Sequence, residues 1–180
     1  MKELSLHILD LVENSVKAGA KLIRVSVAEK ISENIIYFEI EDNGCGMDEE
    51  FLKNVVNPFT TTRTTRKVGL GIPLTKLACE QAGGSFHIES TPGKGTYLKA
   101  SFQYDHIDRQ PLGDMKSTML MLITMRENTD FIYSHTVNDN NFTLNTGELK
   151  EILSGVSFNE PEVRQWLSDF LGENIENLYK

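Results

Sequence analysis

The feature that most constrains this chain is a two-glycine loop at the end of a strand-like run. Residues Ile35 to Ile40 are β-branched and aromatic, with Asn34 in the turn before them. Asp42-Asn43-Gly44-Cys45-Gly46-Met47 follows at once. Gly44 and Gly46 let the backbone adopt unusual φ values and approach a flat ligand closely. A carboxylate such as Asp42 offers acceptors only, so it suits a ligand that presents N–H donors. Met47 can pack on a flat ligand. Such a loop alone occurs in many tight turns. Here it stands 28 residues past Asn14, on a helix with its own polar face.

That helix spans residues 3–18: Leu4, Ile8, Leu11, Val12 and Ser15 recur at three- and four-residue spacing, and Gly19 suits its C-terminal end. Asp10 and Asn14 are four apart and share a face; Lys17 lies nearly on it and His7 one turn earlier. The amide oxygen of Asn14 is a hard ligand suited to Mg²⁺, which prefers oxygens and is usually held through phosphates and waters. Lys17 either lies near phosphate or is simply solvated. Leu22 to Ala28 alternates as a strand. Asp48 caps a helix running to about Val56, and residues 57–68 read as a threonine-rich loop. Leu70 to Gln81 is helical, with Pro73 in its first turn, and Gly83-Gly84 ends it. Ser85 to Ser90 and Gly95 to Gln103 are strands.

The character changes after Tyr104. Residues 105–113 carry Asp105, Asp108, Pro111 and Gly113, a linker signature. The chain thus divides into residues 1–104, a linker, and residues 114–180, a small acidic α+β module of order α-β-β-α-α. In that module Asp114 caps a Met-rich helix, a hairpin turns at residues 138–140, and Thr146 and Asn159 cap two further helices. The module is expected to pack on the first unit or to swap between chains. Its acids face either solvent or a basic partner. Met115, Met119, Met121 and Met125 fill a core or an interface, and Trp166 is either a core residue or an interface anchor.

Two further motifs border the glycine loop. Asn57-Pro58-Phe59-Thr60-Thr61-Thr62-Arg63 precedes Gly69-Leu70-Gly71. Arg63, Arg66 and Lys67 place three positive charges in one loop of a chain whose net charge is -8. Gly69 and Gly71 let amides point at phosphate, and the helix from Leu70 presents its N-terminus to an anion. Lys67 contacts phosphate or only stiffens the loop. Neither a GxxxxGK[ST] phosphate loop nor a strand-following dinucleotide fingerprint is present. The last motif is Gly93-Lys94-Gly95-Thr96, at a hairpin.

With these four motifs in this order, residues 4–103 resemble the ATP-binding domain shared by sensor histidine kinases, DNA gyrase, Hsp90-type chaperones and MutL-type mismatch-repair proteins. Leu11-Val12-Glu13-Asn14-Ser15 and Ala18-Gly19-Ala20 are similar to the mismatch-repair branch; Pro58 to Thr62 and Gly69 to Thr96 are similar to the histidine-kinase branch. The resemblance implies a two-layer α/β sandwich of Bergerat type, with a mixed, mostly antiparallel sheet and helices on one face. It implies ATP as ligand and Mg²⁺ held at Asn14. Asp42, Gly44, Gly46 and Met47 would receive the adenine, joined by the Thr96 hydroxyl and a water. Phe59 would anchor a lid over residues 60–68, with Thr60, Thr61, Arg63 and Lys67 near phosphate beside Gly69, Leu70 and Gly71. The acid in the place of Asp10 orients or activates a water and is usually Glu. Asp is one methylene shorter, which argues against efficient hydrolysis and not against binding.

The acidic balance, net charge -8, argues against nucleic acid as the main partner. No apolar run is long enough for a membrane helix, and the default location is cytoplasmic. Cys45 and Cys79 are too few for a cysteine-ligated structural zinc. No room remains for the phospho-accepting histidine hairpin of a complete sensor kinase, and 76 residues is short for a gyrase-type transducer. The expected protein is a stand-alone Mg-ATP-binding regulator that passes phosphate to a protein partner, in the manner of anti-sigma-factor kinases. An ATP-sensing interaction module with little turnover, and an ATP-gated homodimer of mismatch-repair type, are the alternatives.

Overall fold

In the computed structural model, which describes residues 2–57 and 69–180, strands β1 (Leu22–Lys30) and β2 (Ile35–Asp42) form an antiparallel pair. A short 3-10 turn at Ile31–Glu33 joins them, and Asn34 takes the left-handed conformation that closes it. Strands β3 (Phe86–Thr91) and β4 (Gly95–Gln103) add antiparallel to β2. On the other side, β5 (Asp130–Val137) pairs parallel with β1, and β6 (Asn140–Asn145) pairs antiparallel with β5. The six strands run β3-β4-β2-β1-β5-β6. The mixed, mostly antiparallel sheet is as the sequence implies.

One face of the sheet is apolar. Val25, Ile40, Leu98 and Tyr133 lie side by side across four strands, and all are buried. Against this face lie α1 (Leu4–Lys17), α3 (Gly71–Gln81), α4 (Met115–Met125) and α6 (Pro161–Asn177). The opposite face is polar and half-exposed: Tyr97 and Lys99 share Glu39 as a partner at 2.8 and 3.6 Å. This alternation produces a two-layer sandwich.

The second half of the chain runs α4, β5, β6, α5 (Thr146–Leu153) and α6. Its strands, however, do not form a sheet of their own. The register Leu22↔Asp130 through Glu29↔Val137 continues the N-terminal sheet, and the core residues of both halves form one cluster. The change of composition near residue 105 therefore marks a connection that crosses to the far edge of β1, not a break in the sheet. A strand whose alternate residues are Phe131, Tyr133 and His135 needs an apolar neighbour, and β6 alone is too small to supply one.

Several end signals hold. Asp48 accepts from Phe51 N at 2.7 Å before α2 (Glu49–Val56), and Asp114 accepts from Ser117 N at 2.9 Å before α4. Two are corrected. Asn145, not Thr146, caps α5, accepting from Gly147 N at 2.9 Å; the buried Thr146 hydroxyl instead accepts from Phe131 N at 2.8 Å and fastens the start of β5. Asn159 does not cap α6, since its amide donates to Thr124 O at 2.8 Å. Met115 and Met119 are core residues, while Met121 and Met125 are exposed; Trp166 stacks on Phe170 at 5.0 Å, partly exposed.

Both cysteines are free thiols. Burial pushes the Cys79 thiol up to about 12, which makes it inert. His135 belongs to a buried chain, not a metal site: Tyr133 OH lies 2.7 Å from Nδ1, Nε2 lies 3.1 Å from Glu29, and Tyr179 donates to the same Glu29 oxygen. No described helix is long and apolar enough to cross a membrane.

Candidate nucleotide site

The sheet ends in a row that runs across four strands on the core side: Ser90 on β3, Thr96 on β4, Asp42 on β2 and Ile23 on β1. Beyond this row a cleft of about 310 Å³ opens between the sheet, α1 and α2. Its walls are mainly apolar, with Ile40, Met47, Ile72, Ile88 and Leu98 among them. Asn14, Ser15, Lys17, Asp42, Gly46, Gly69 and Thr96 bring the polar groups.

At the sheet end every polar group is fixed. Asp42 receives two donors: Gly44 N reaches Oδ1 at 2.9 Å and Ser15 Oγ reaches Oδ2 at 2.6 Å. Two donors hold the carboxylate plane, and its other lone pairs remain for a ligand. Thr96 Oγ1 lies 2.8 Å from Ser90 Oγ, which also accepts from Met47 N at 2.8 Å. The loop between is clamped by Cys45 N to Ala18 O (2.9 Å) and by Gly93 N to Cys45 O (2.7 Å). Gly46 has φ +68°, and a Cβ there would lie 2.1 Å from Thr91 O. Only glycine satisfies both conditions.

The helix end differs. Asp10 and Asn14 are half-buried and Lys17 is exposed. Among the described residues, no side-chain hydrogen bond or ion pair restrains any of the three. Asn14 faces Gly69, whose position for a Cβ is 3.9 Å from Oδ1. Asp10 sits against the first residue of α3: a Cβ on Gly71 would meet Oδ2 at 2.1 Å. Gly71 thus allows α1 and α3 to meet closely. Leu70, the residue before α3, is exposed, and no side chain among the described residues caps the first amides of the helix.

The fold therefore brings Asn14, Lys17, Asp42, Gly46, Met47, Gly69 and Thr96 to one cleft. It sets Asp10, Gly44, Leu70 and Gly71 beside that cleft rather than in its wall. Phe59, Thr60, Thr61, Arg63 and Lys67 lie outside the described residues. Sequence reasoning missed two hydroxyls. Ser15 counted only as part of the buried helix stripe, although its place beside Asn14 sets it toward the loop. Ser90 counted only as a strand residue; the β3–β4 register places it opposite Thr96.

Residues 2–106 match the family described as histidine kinase-, DNA gyrase B-, and HSP90-like ATPase. The chain belongs to that family. Its first half is an ATP-binding domain related to those of histidine kinases. Sporulation kinase A of Bacillus subtilis is 31% identical over 94 residues, which are 52% of this chain and 15% of that protein. The non-motile and phage-resistance protein of Caulobacter vibrioides is 30% identical over 112 residues, 57% of this chain and 13% of that protein. The chain spans a small part of these relatives. Among solved structures, the Aquifex aeolicus MutL ATPase domain complexed with ADP superposes with a TM-score of 0.51 at 13% identity, covering 86% of this chain and 70% of that one. The N-terminal domain of a DNA repair protein gives 0.54 at 14% identity, covering 81% and 52%. Both coverages exceed the span of the family match, so the likeness of fold continues past residue 106.

Proposed function

We propose that the protein is a Mg-ATP-binding regulator that transfers the γ-phosphate to a protein partner. The observation that supports this reading is the cleft with two unlike ends, one fixed at Asp42 and one where no side-chain hydrogen bond or ion pair among the described residues restrains Asp10 or Asn14, in a domain of this ATPase family. Adenine fits the fixed end: Asp42 accepts from its amine, Thr96 offers a hydroxyl, and Met47 and Leu98 cover its faces. The α3 amides and Lys17 face the phosphates.

The residues present also fit a magnesium ion. Among the described residues no three His, Cys, Asp or Glu side chains could hold a metal unaided, and Asn14 offers a single hard oxygen into the cleft. That suits an ion held chiefly by phosphate and water. When bound, it would neutralise phosphate charge, the main requirement of such transfer. Asn14 would hold it, and Asp10 would orient the acceptor hydroxyl or a water.

A second reading is favoured by one contact. Asp10 is short and packed against Gly71, so an ATP-sensing module with little turnover fits the same cleft. Incubation with γ-labelled ATP, Mg²⁺ and a cell lysate separates the two. The phosphotransferase reading expects label on a second protein, lost with Asn14→Ala and reduced with Asp10→Asn. Binding without label transfer or phosphate release supports the sensing module. An anti-sigma-like regulator in the cytoplasm, alone or as a homodimer, is the setting this proposal fits.

A further inference from the structure

We infer that His7 is a positioning residue of the nucleotide site: it pins the first turn of α3 against Asp10 and ties that turn to the linker at residues 105–113. The inference rests on the nucleotide reading above for its consequence, and on geometry alone for the pin.

His7 is buried at the point where three elements meet. Its Nδ1 lies 3.0 Å from Thr75 Oγ1 on α3, and its Nε2 lies 2.8 Å from the Gln110 side-chain amide in the linker. Thr75 spends its one hydroxyl proton on Gly71 O at 2.7 Å, so Nδ1–H is the donor to Thr75. The Gln110 amide can present its oxygen to an imidazolium or its NH₂ to the neutral ring. The contact therefore survives either charge state, though desolvation by burial holds the His7 pKa below its ordinary value. The linker is itself docked on α1: Leu4 N donates to Pro111 O at 2.9 Å and Ser5 N to Leu112 O at 2.8 Å.

A continuous path thus runs Gln110, His7, Thr75, Gly71, and Gly71 abuts Asp10. His7 and Asp10 are three apart on α1 and touch α3 at successive points of one face. The spacing between Asp10 and the first amides of α3 is what His7 sets. A change at the linker therefore reaches the phosphate end of the cleft without touching a ligand.

Hydrogen exchange tests the pin. Gln110→Ala and Thr75→Val should each speed exchange at the amides of residues 74–77 about tenfold relative to those of β2, by loss of a half-buried and a buried hydrogen bond respectively. Thr75→Ser, which keeps the hydroxyl, should stay near the parent. The Gln110→Ala/Thr75→Val pair should be no faster than Thr75→Val alone. The claim is overturned if Gln110→Ala leaves residues 74–77 unchanged or if the two effects add independently. In parallel, AMP-PNP with Mg²⁺ should bind Gln110→Ala several-fold more weakly than the parent. Equal affinity overturns the positioning role while leaving the nucleotide reading intact; a parent that binds no analogue overturns both.

Discussion

The two ends of the cleft are built on opposite plans. At the sheet end, Asp42, Ser90 and Thr96 sit in one cross-strand row and each side chain already has a protein partner. At the helix end, Asp10, Asn14 and Lys17 have no such restraint among the described residues. A preorganised recognition end loses little entropy on binding and discriminates by geometry. An unrestrained end leaves its polar groups for a charged ligand and its ion. On the nucleotide reading proposed above, recognition of the base and handling of phosphate would be separate properties of one cleft.

The largest effect expected is at the fixed end. Asp42→Asn replaces the charged acceptor with a group that presents a donor toward Ser15, Gly44 or the base amine. It should weaken binding of an ATP analogue by about 3 kcal/mol, more than a hundredfold, measured by calorimetry. An equally large loss with an inosine analogue would break the comparison, since the keto group has no favourable contact with Asp42 to lose.

Glycine substitutions come next. Gly46→Ala drives a Cβ into Thr91 backbone at positive φ and should cost about 2–3 kcal/mol of stability in urea unfolding. Gly71→Ala meets only the tip of Asp10, a side chain that can turn away, and gains helix propensity. Its stability should stay within about 1 kcal/mol of the parent while phosphate transfer falls. Comparable stability losses at both positions would show that the helix end is as rigid as the sheet end.

Asn14→Ala should lose about 2 kcal/mol of analogue binding in Mg²⁺ and very little in its absence. Calorimetry with and without a chelator reads this directly. Lys17→Ala is the smallest expected change, about twofold in affinity, because the group is exposed and its attraction is screened; the difference should vanish in high salt.

Much of this was legible from local pattern. The helix stripe of Leu4, Ile8, Leu11 and Val12, the strand before Asp42 and the caps at Asp48 and Asp114 are short-range signals, and the structure has them. That Asp42 and Asn14 line one cleft was legible from the resemblance of the motifs that carry them. The pairing of β5 with β1 was not. Leu22 and Asp130 are far apart in sequence, and a parallel pair needs a crossover that no local pattern encodes. The residue pair Asn145-Thr146 holds two good capping groups, and choosing between them required knowing that Phe131 N claims the threonine hydroxyl. Ser15 and His7 were hidden for the same reason: their partners, Asp42, Thr75 and Gln110, are distant along the chain.

The central claim is that one cleft binds Mg-ATP through a fixed base end and an ion-dependent phosphate end. Calorimetric titration of the parent with a nonhydrolysable ATP analogue and Mg²⁺, beside Asp42→Asn and Asn14→Ala, tests it most directly. The account predicts binding by the parent, loss with Asp42→Asn in any buffer, and loss with Asn14→Ala only when Mg²⁺ is present. A folded parent that takes up no analogue, or variants that bind as the parent does, would contradict it.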